Sequence, residues 1–153
     1  MKKRMIVAAL LAAFVFSPVP ALASGLGIDL VRLVDGNQDD GMTNFYGQLA
    51  LAGGGAVVAG YSSGDHLSIV DVAYKHYFGR YARGPFVQVG AGYYDGSHDD
   101  DLGFVGSLGY EHRIARHLSI SGSARIVAGV DESIIGYREV PVFQPTLGVM
   151  LVF

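Results

Sequence analysis

Residues 102–128 read LGFVGSLGYEHRIARHLSISGSARIVA. Two runs of period-two alternation flank a short basic turn. In the first run Leu102, Phe104, Leu108 and Tyr110 share one face, and Val105, Ser107, Gly109 and Glu111 share the other. In the second, Leu118, Ile120, Ala124 and Ile126 oppose Ser119, Ser121, Ser123 and Arg125. Successive side chains of a strand point to opposite faces. The stretch therefore predicts an antiparallel hairpin, Leu102–His112 and His117–Ala128, joined by Arg113–Arg116. One of its faces is continuously apolar.

The same pattern extends in both directions. Val70, Val72 and Tyr74 oppose Asp71, Ala73 and Lys75, and Val87, Val89, Ala91 and Tyr93 oppose Gln88, Gly90, Gly92 and Tyr94. Gly, Asp and Asn clusters and Arg-containing turns punctuate the runs. The further strands are then Gly25–Val34, Thr43–Ala52, Ala56–Ser62, His66–Phe78, Pro85–Tyr94 and Val140–Phe153, which makes eight in all. Most approach the 9–11 or so residues that a tilted membrane strand needs. Connections alternate in kind. Asp35–Met42, Ser63–Asp65, Asp95–Asp101 and Gly129–Glu139 are acidic and mostly longer, whereas Gly53–Gly55, Gly79–Gly84 and Arg113–Arg116 are tight and carry no acid.

The expected fold is all-β: an eight-stranded antiparallel up-and-down transmembrane β-barrel. Membrane barrels have short periplasmic turns and longer outer loops, so both termini are expected in the periplasm. A soluble barrel alternates too, with the apolar face inward. Its second face then meets water and is rich in Lys and Glu. Here the second face is mostly Gly, Ser, Ala and Gln, which suits a crowded interior. Aromatics near strand ends suggest two interfacial girdles. Phe45, Tyr61, Tyr93, Phe104, Tyr137 and Phe143 fall on the loop side. Tyr77, Phe78, Tyr81, Phe86, Tyr110 and Phe153 fall on the turn side.

The first residues bear on localisation. Lys2, Lys3 and Arg4 precede an uncharged run, Met5 to Phe16, and then Pro18, Pro20 and Ala21-Leu22-Ala23. This is the layout of a signal peptide, residues 1–23, with an apolar run too short to span a bilayer. An uncleaved anchor is the alternative. Residues 24–153 then form a single outer-membrane domain. Without Lys2, Lys3 and Arg4 the eleven Lys and Arg fall to eight against fourteen acids, and the net charge moves from −3 to −6. That acidity argues against a nucleic-acid partner. The chain has no Cys, hence no disulfide framework and no thiolate chemistry. No cofactor is implied.

An eight-stranded barrel is just wide enough for its own side chains, which predicts a packed polar lumen and no open channel. Asp29, Asp71, Lys75, Glu111 and Arg125 are expected to point into it, with Arg32 as a possible third base of unsettled alternation phase. Buried charges must be paired. A salt-bridge network and a proton or ion path are the two readings of this set.

The last strand ends Thr146-Leu147-Gly148-Val149-Met150-Leu151-Val152-Phe153. Thr146, Gly148, Leu151 and Phe153 resemble the C-terminal assembly signal of outer-membrane proteins. The resemblance implies recognition by the barrel-assembly machinery during biogenesis. Pro145 cannot donate to a ladder, so a bulge or a lost hydrogen bond is expected there. Over residues 24–153 the pattern resembles the small eight-stranded OmpA/OmpX-like barrels. That resemblance implies a monomer in the outer membrane of a Gram-negative bacterium, in contact with outer-membrane lipid and lipopolysaccharide. Its members include anchoring, adhesive, structural and enzymatic proteins.

Three function classes follow. The first is a non-enzymatic envelope protein with a structural or surface-interaction role. The second is a lipid A-modifying hydrolase. His66-Leu67-Ser68 resembles the His and Ser of lipid A 3-O-deacylases, two residues apart and so on one strand face. The Asn that follows in that family is missing, and only Glu132 or Glu139 is placed to orient His66. His117-Leu118-Ser119 has the same spacing at the periplasmic end. The third is a narrow pore. Asp99, Asp100 and Asp101, next to His98, are the candidates for a divalent cation, without the spaced ligands of an EF-hand.

Overall fold

The computed structural model describes residues 24–34, 40–135 and 141–153. The proposed signal peptide, Asp35, Tyr137, Glu139 and the expected strand start at Val140 lie outside these residues. The strands are β1 (Ser24–Asp29), β2 (Thr43–Ala50), β3 (Gly55–Ser63), β4 (Leu67–Tyr77), β5 (Gly84–Gly96), β6 (Asp100–Ala115), β7 (Leu118–Ala128) and β8 (Val142–Val152). Each pairs antiparallel with the next, and β1 pairs with β8, so the sheet closes into an eight-stranded barrel. A one-turn helix, α1 (Glu132–Ile135), lies in the β7–β8 loop.

Several boundaries differ from expectation. The first strand ends at Asp29 rather than Val34, because Arg32–Val34 turns into a 3₁₀ segment. The middle hairpin is longer than expected. β5 and β6 pair from Gly84↔Glu111 to Asp95↔Asp100, which takes Asp95, Asp100 and Asp101 into the ladder. The closing seam is short, from Gly25↔Val152 to Asp29↔Gly148. Pro145 produces no bulge: it sits opposite Ala124 in an unbroken β7–β8 register. Leu147 exchanges backbone contacts toward the first strand, accepting from Leu30 N–H at 2.8 Å. Two residues earlier, Pro145 turns its nitrogen to the same side, beyond the end of β1, where there is no ladder bond to lose. The irregularity lies instead between Arg113 and Ala115.

Polarity is inverted relative to a soluble protein. Phe104 is 71% exposed, Leu108 66% and Phe143 73%, while Glu111 is 1% exposed and Gln48, Asp71, Lys75 and Arg125 are buried. The faces of the fourth to seventh strands follow the alternation read from the sequence. The girdles need correction. Phe45, Phe104 and Phe143 on the loop side and Phe78, Tyr110 and Phe153 on the turn side face outward. Tyr77 and Phe86 face inward and pack with Ala56. Tyr77 shares its face with Asp71, Ala73 and Lys75, and that phase overrides its position near a strand end.

Apolar clusters occupy both ends of the interior. At the loop end Met42, Val130, Ile134 and Ile135 descend from the loops onto Leu67, Ile69, Tyr94 and Val127. At the turn end Tyr81 and Ala82, from the β4–β5 turn, pack with Met150 and Val152. Gly148 and Gly27 make room between the ends. A Cβ on Gly148 would lie 2.8 Å from Tyr46 Oη, and one on Gly27 would lie 2.5 Å from the Tyr46 ring, so the thin β1–β8 wall accommodates that ring.

Candidate functional site

Between the two apolar ends lies a polar middle with a cavity of about 90 Å³, lined by Asp29, Arg32, Gln48, Asp71, Lys75, Gln88 and Arg125 among others. Its charges form two clusters.

The turn-proximal cluster centres on Glu111. Oε2 accepts from Lys75 Nζ at 2.5 Å and from Tyr77 Oη at 2.6 Å, and Oε1 accepts from Ser119 Oγ at 2.8 Å. Gln48 completes a ring: Nε2 donates to Tyr77 Oη at 2.7 Å, and Oε1 accepts from Lys75 at 3.2 Å. The Lys75 ammonium also lies 4.0 Å above the Phe86 ring, a cation–π contact.

The loop-proximal cluster centres on Asp71. Oδ2 accepts from Arg125 Nη2 at 2.9 Å and from Arg32 Nη2 at 3.5 Å. Arg32 also donates to Ser62 Oγ and lies 4.0 Å from Asp29 Oδ2. Asp29 Oδ1 accepts from Val31 N–H at 3.0 Å and Leu147 N–H at 3.1 Å, which ties the end of β1 to β8. Asn44 brackets the Asp29 backbone, accepting from its N–H at 2.6 Å and donating to its carbonyl at 2.9 Å. Gly60 gives the Asp71 carboxylate room, since a Cβ there would lie 2.7 Å from Oδ1. Among the described residues, Arg125 Nε is buried here without a hydrogen-bond partner, as are Tyr81 Oη and Arg113 Nε toward the turn end; the Arg125 guanidinium faces Tyr94.

The five inward charges named from the sequence thus divide three and two, and Arg32 joins the larger group. The 3₁₀ turn after Asp29, rather than strand alternation, carries Arg32 over the lumen. Sequence reading missed Gln48, Tyr77 and Ser119. Their signal was available, because Ser119 alternates with Arg125 and Tyr77 with Lys75. Together the two clusters neutralise charge.

The other candidates are not brought together in this way. His66 is exposed in the loop before β4, and its carbonyl accepts from Ser97 Oγ at 3.4 Å. Ser68 Oγ lies 3.3 Å from Ser63 Oγ across the β3–β4 hairpin. Asp99 Oδ1 accepts from Asp100 N–H at 2.9 Å. Asp100 accepts from Tyr93 Oη. Asp101 accepts from Leu102 N–H at 2.7 Å and Asp131 N–H at 3.1 Å. These carboxylates bind loop and strand donors, and among the described residues no three His, Asp or Glu converge in a metal-binding group. In the terminal motif Thr146 and Gly148 face the lumen, with Thr146 Oγ1 2.5 Å from Ser123 Oγ. Leu151 and Phe153 face outward.

No protein-family model matches the chain, and no curated protein matches it. Among solved structures, one from a study titled "De novo design of transmembrane beta-barrels" is similar at a TM-score of 0.46 and 13% identity. The alignment covers 86% of this chain and 92% of that one. The barrel topology itself is read from the strand register.

Proposed function

We propose that the chain is an integral outer-membrane β-barrel with a closed polar lumen and a structural or surface-interaction role in the cell envelope. The observation that carries this reading is the inversion of polarity around the barrel wall. Leu102, Phe104, Leu108, Val89, Val72 and Phe143 form an exposed apolar band, whereas the interior holds the paired charges of Asp71, Arg125, Lys75 and Glu111. Water would disfavour an apolar surface on this scale. A bilayer accepts it, and closure of the sheet pairs strand backbone groups that lipid could not hydrate. In this reading the acidic loops face outward toward lipopolysaccharide and the tight turns face the periplasm. The monomer is inserted by the barrel-assembly machinery through the motif ending at Phe153. Apolar packing at both ends of the lumen supports a barrel that does not conduct.

Heat-modifiability tests the reading. Residues 24–153 refolded in detergent are expected to migrate differently boiled and unboiled on a denaturing gel, with a β-type circular dichroism spectrum. A chain that folds and stays soluble without detergent overturns it. Planar bilayers containing the folded protein are expected to show no unit conductance.

A further inference from the structure

The two ends of the barrel carry opposite charge. Among the described residues, the exposed acids Asp40, Asp65, Asp95, Asp99, Asp100, Asp131 and Glu132 lie at the loop end. The exposed arginines, Arg80, Arg83 and Arg116, lie at the turn end, where none of the three turns contains an acid. The turn geometry holds two of these arginines outward. In the β4–β5 turn Arg80 and Arg83 form an isolated antiparallel bridge, with Arg83 N–H donating to Arg80 O at 3.0 Å. The tip residues between them fold inward. Ala82 is fully buried, at φ 54°, and the Tyr81 ring packs on Tyr77 with centroids 5.7 Å apart. Residues across a bridge share a face, so burying the tip leaves the guanidinium groups on the outside. Exposed Phe78, Tyr110 and Ile114, toward the turn-side ends of β4 and β6, mark the edge of the apolar band. Guanidinium groups beside the border of an apolar band suit lipid phosphates, because long basic side chains extend from that border toward headgroups.

We propose that the turn end of the barrel is a docking surface for anionic phospholipid headgroups, engaged by Arg80, Arg83 and Arg116. The inference rests on the membrane reading above and adds the lipid class and the end of the barrel that meets it. Guanidinium groups pair with phosphate oxygens in two-pronged hydrogen bonds. Each basic residue near an anionic surface contributes about fivefold in association.

The test uses the full barrel reconstituted in phosphatidylcholine vesicles that carry spin-labelled phosphatidylglycerol or spin-labelled phosphatidylcholine. The lipid fraction immobilised on the protein is read by electron spin resonance. The wild type is expected to select phosphatidylglycerol by at least about twofold averaged over both leaflets, and raised sodium chloride is expected to remove the selectivity. R80Q/R83Q/R116Q is expected to bring it to parity, while D65N/D95N at the opposite end leaves it intact. Heat-modifiability of each variant confirms that the barrel is folded. If the triple variant does not fold, R80Q and R116Q singly are expected to give intermediate selectivity. A folded, inserted wild type without selectivity overturns this proposal and leaves the membrane reading standing. Failure to insert in either lipid overturns both. Inorganic phosphate is expected to compete more strongly than chloride of equal ionic strength, because the same guanidinium groups pair with phosphate oxygens. Binding of inorganic phosphate by a folded barrel that shows no phosphatidylglycerol selectivity would assign the arginines to free phosphate and overturn the lipid assignment.

Discussion

The two charge clusters inside the barrel neutralise themselves differently. Around Glu111 one carboxylate is matched to one ammonium, and Tyr77, Ser119 and Gln48 take up the remaining hydrogen-bonding capacity. Around Asp71 one carboxylate serves two guanidinium groups, and Asp29, at the end of the shortest strand, supplies the second negative charge. The Glu111 cluster is held by long, continuously paired strands. The Asp71 cluster adds Arg32, from the 3₁₀ turn after β1. A lysine left without its partner can shed its proton, whereas an arginine in a protein stays charged. The cluster with two arginines is thus the more sensitive to loss of its acid.

That asymmetry sets an order of effects. Asp71→Ala leaves Arg125 without an anionic partner and is expected to cost about 5 kcal/mol, read as a lowered midpoint of urea unfolding in lipid vesicles. Glu111→Ala strands Lys75 and two hydroxyls and is expected to cost about 3 kcal/mol in the same assay, because a neutral lysine escapes part of the penalty. Equal losses, or the reverse order, would remove the distinction between the clusters. Replacing both partners of the turn-proximal pair, Lys75→Met with Glu111→Leu, is expected to stay within about 2 kcal/mol of the wild type. A buried pair gains little over an apolar substitute of similar volume. A double variant as damaged as Glu111→Ala would mean that Glu111 acts mainly through Tyr77 and Ser119.

The smallest effect concerns the loop above the Asp71 cluster. Asp131 Oδ1 accepts from Ser133 N–H at 2.8 Å and Ser133 Oγ at 2.6 Å at the start of α1, and these bonds hold its carboxyl below the usual carboxylate range. A depressed carboxyl contributes stability that is present above its unfolded pKa, about 3.9, and is lost as pH falls through the folded value. Protection factors of the Glu132–Ile135 amides, exchange rates divided by the intrinsic rate at each pH, are therefore expected to be unchanged between pH 5 and 8 and to fall below about pH 4. Asp131→Asn is expected to weaken that acid dependence.

Much of this architecture was legible before any coordinates. Alternation in Leu102–Ala128 assigns each side chain to a face because a strand has a period of two, and the order of long and short connections sets the up-and-down path. The same rule, applied strictly, would have moved Tyr77 and Phe86 from the girdle to the interior. It fails for Arg32, since residues beyond Asp29 leave the strand and have no alternation to follow. It is also silent on pairing. Nothing in the order of residues says that Lys75 meets Glu111 or that Asp71 meets Arg125, since each pair lies on strands that are not adjacent in the barrel.

What the sequence determined by itself is therefore the number of strands, the handing of apolar residues to the outer face and of charged residues to the inner one, and the separation of acidic loops from basic turns. These depend on local period and composition. The tertiary structure alone decided that the charges form two clusters, that loop residues such as Met42 and Ile134 pack into one end of the interior, and that the tip of the β4–β5 turn folds in at the other. Those contacts run across the barrel, and only closure of the sheet, with its particular register at the β1–β8 seam, brings their partners within reach.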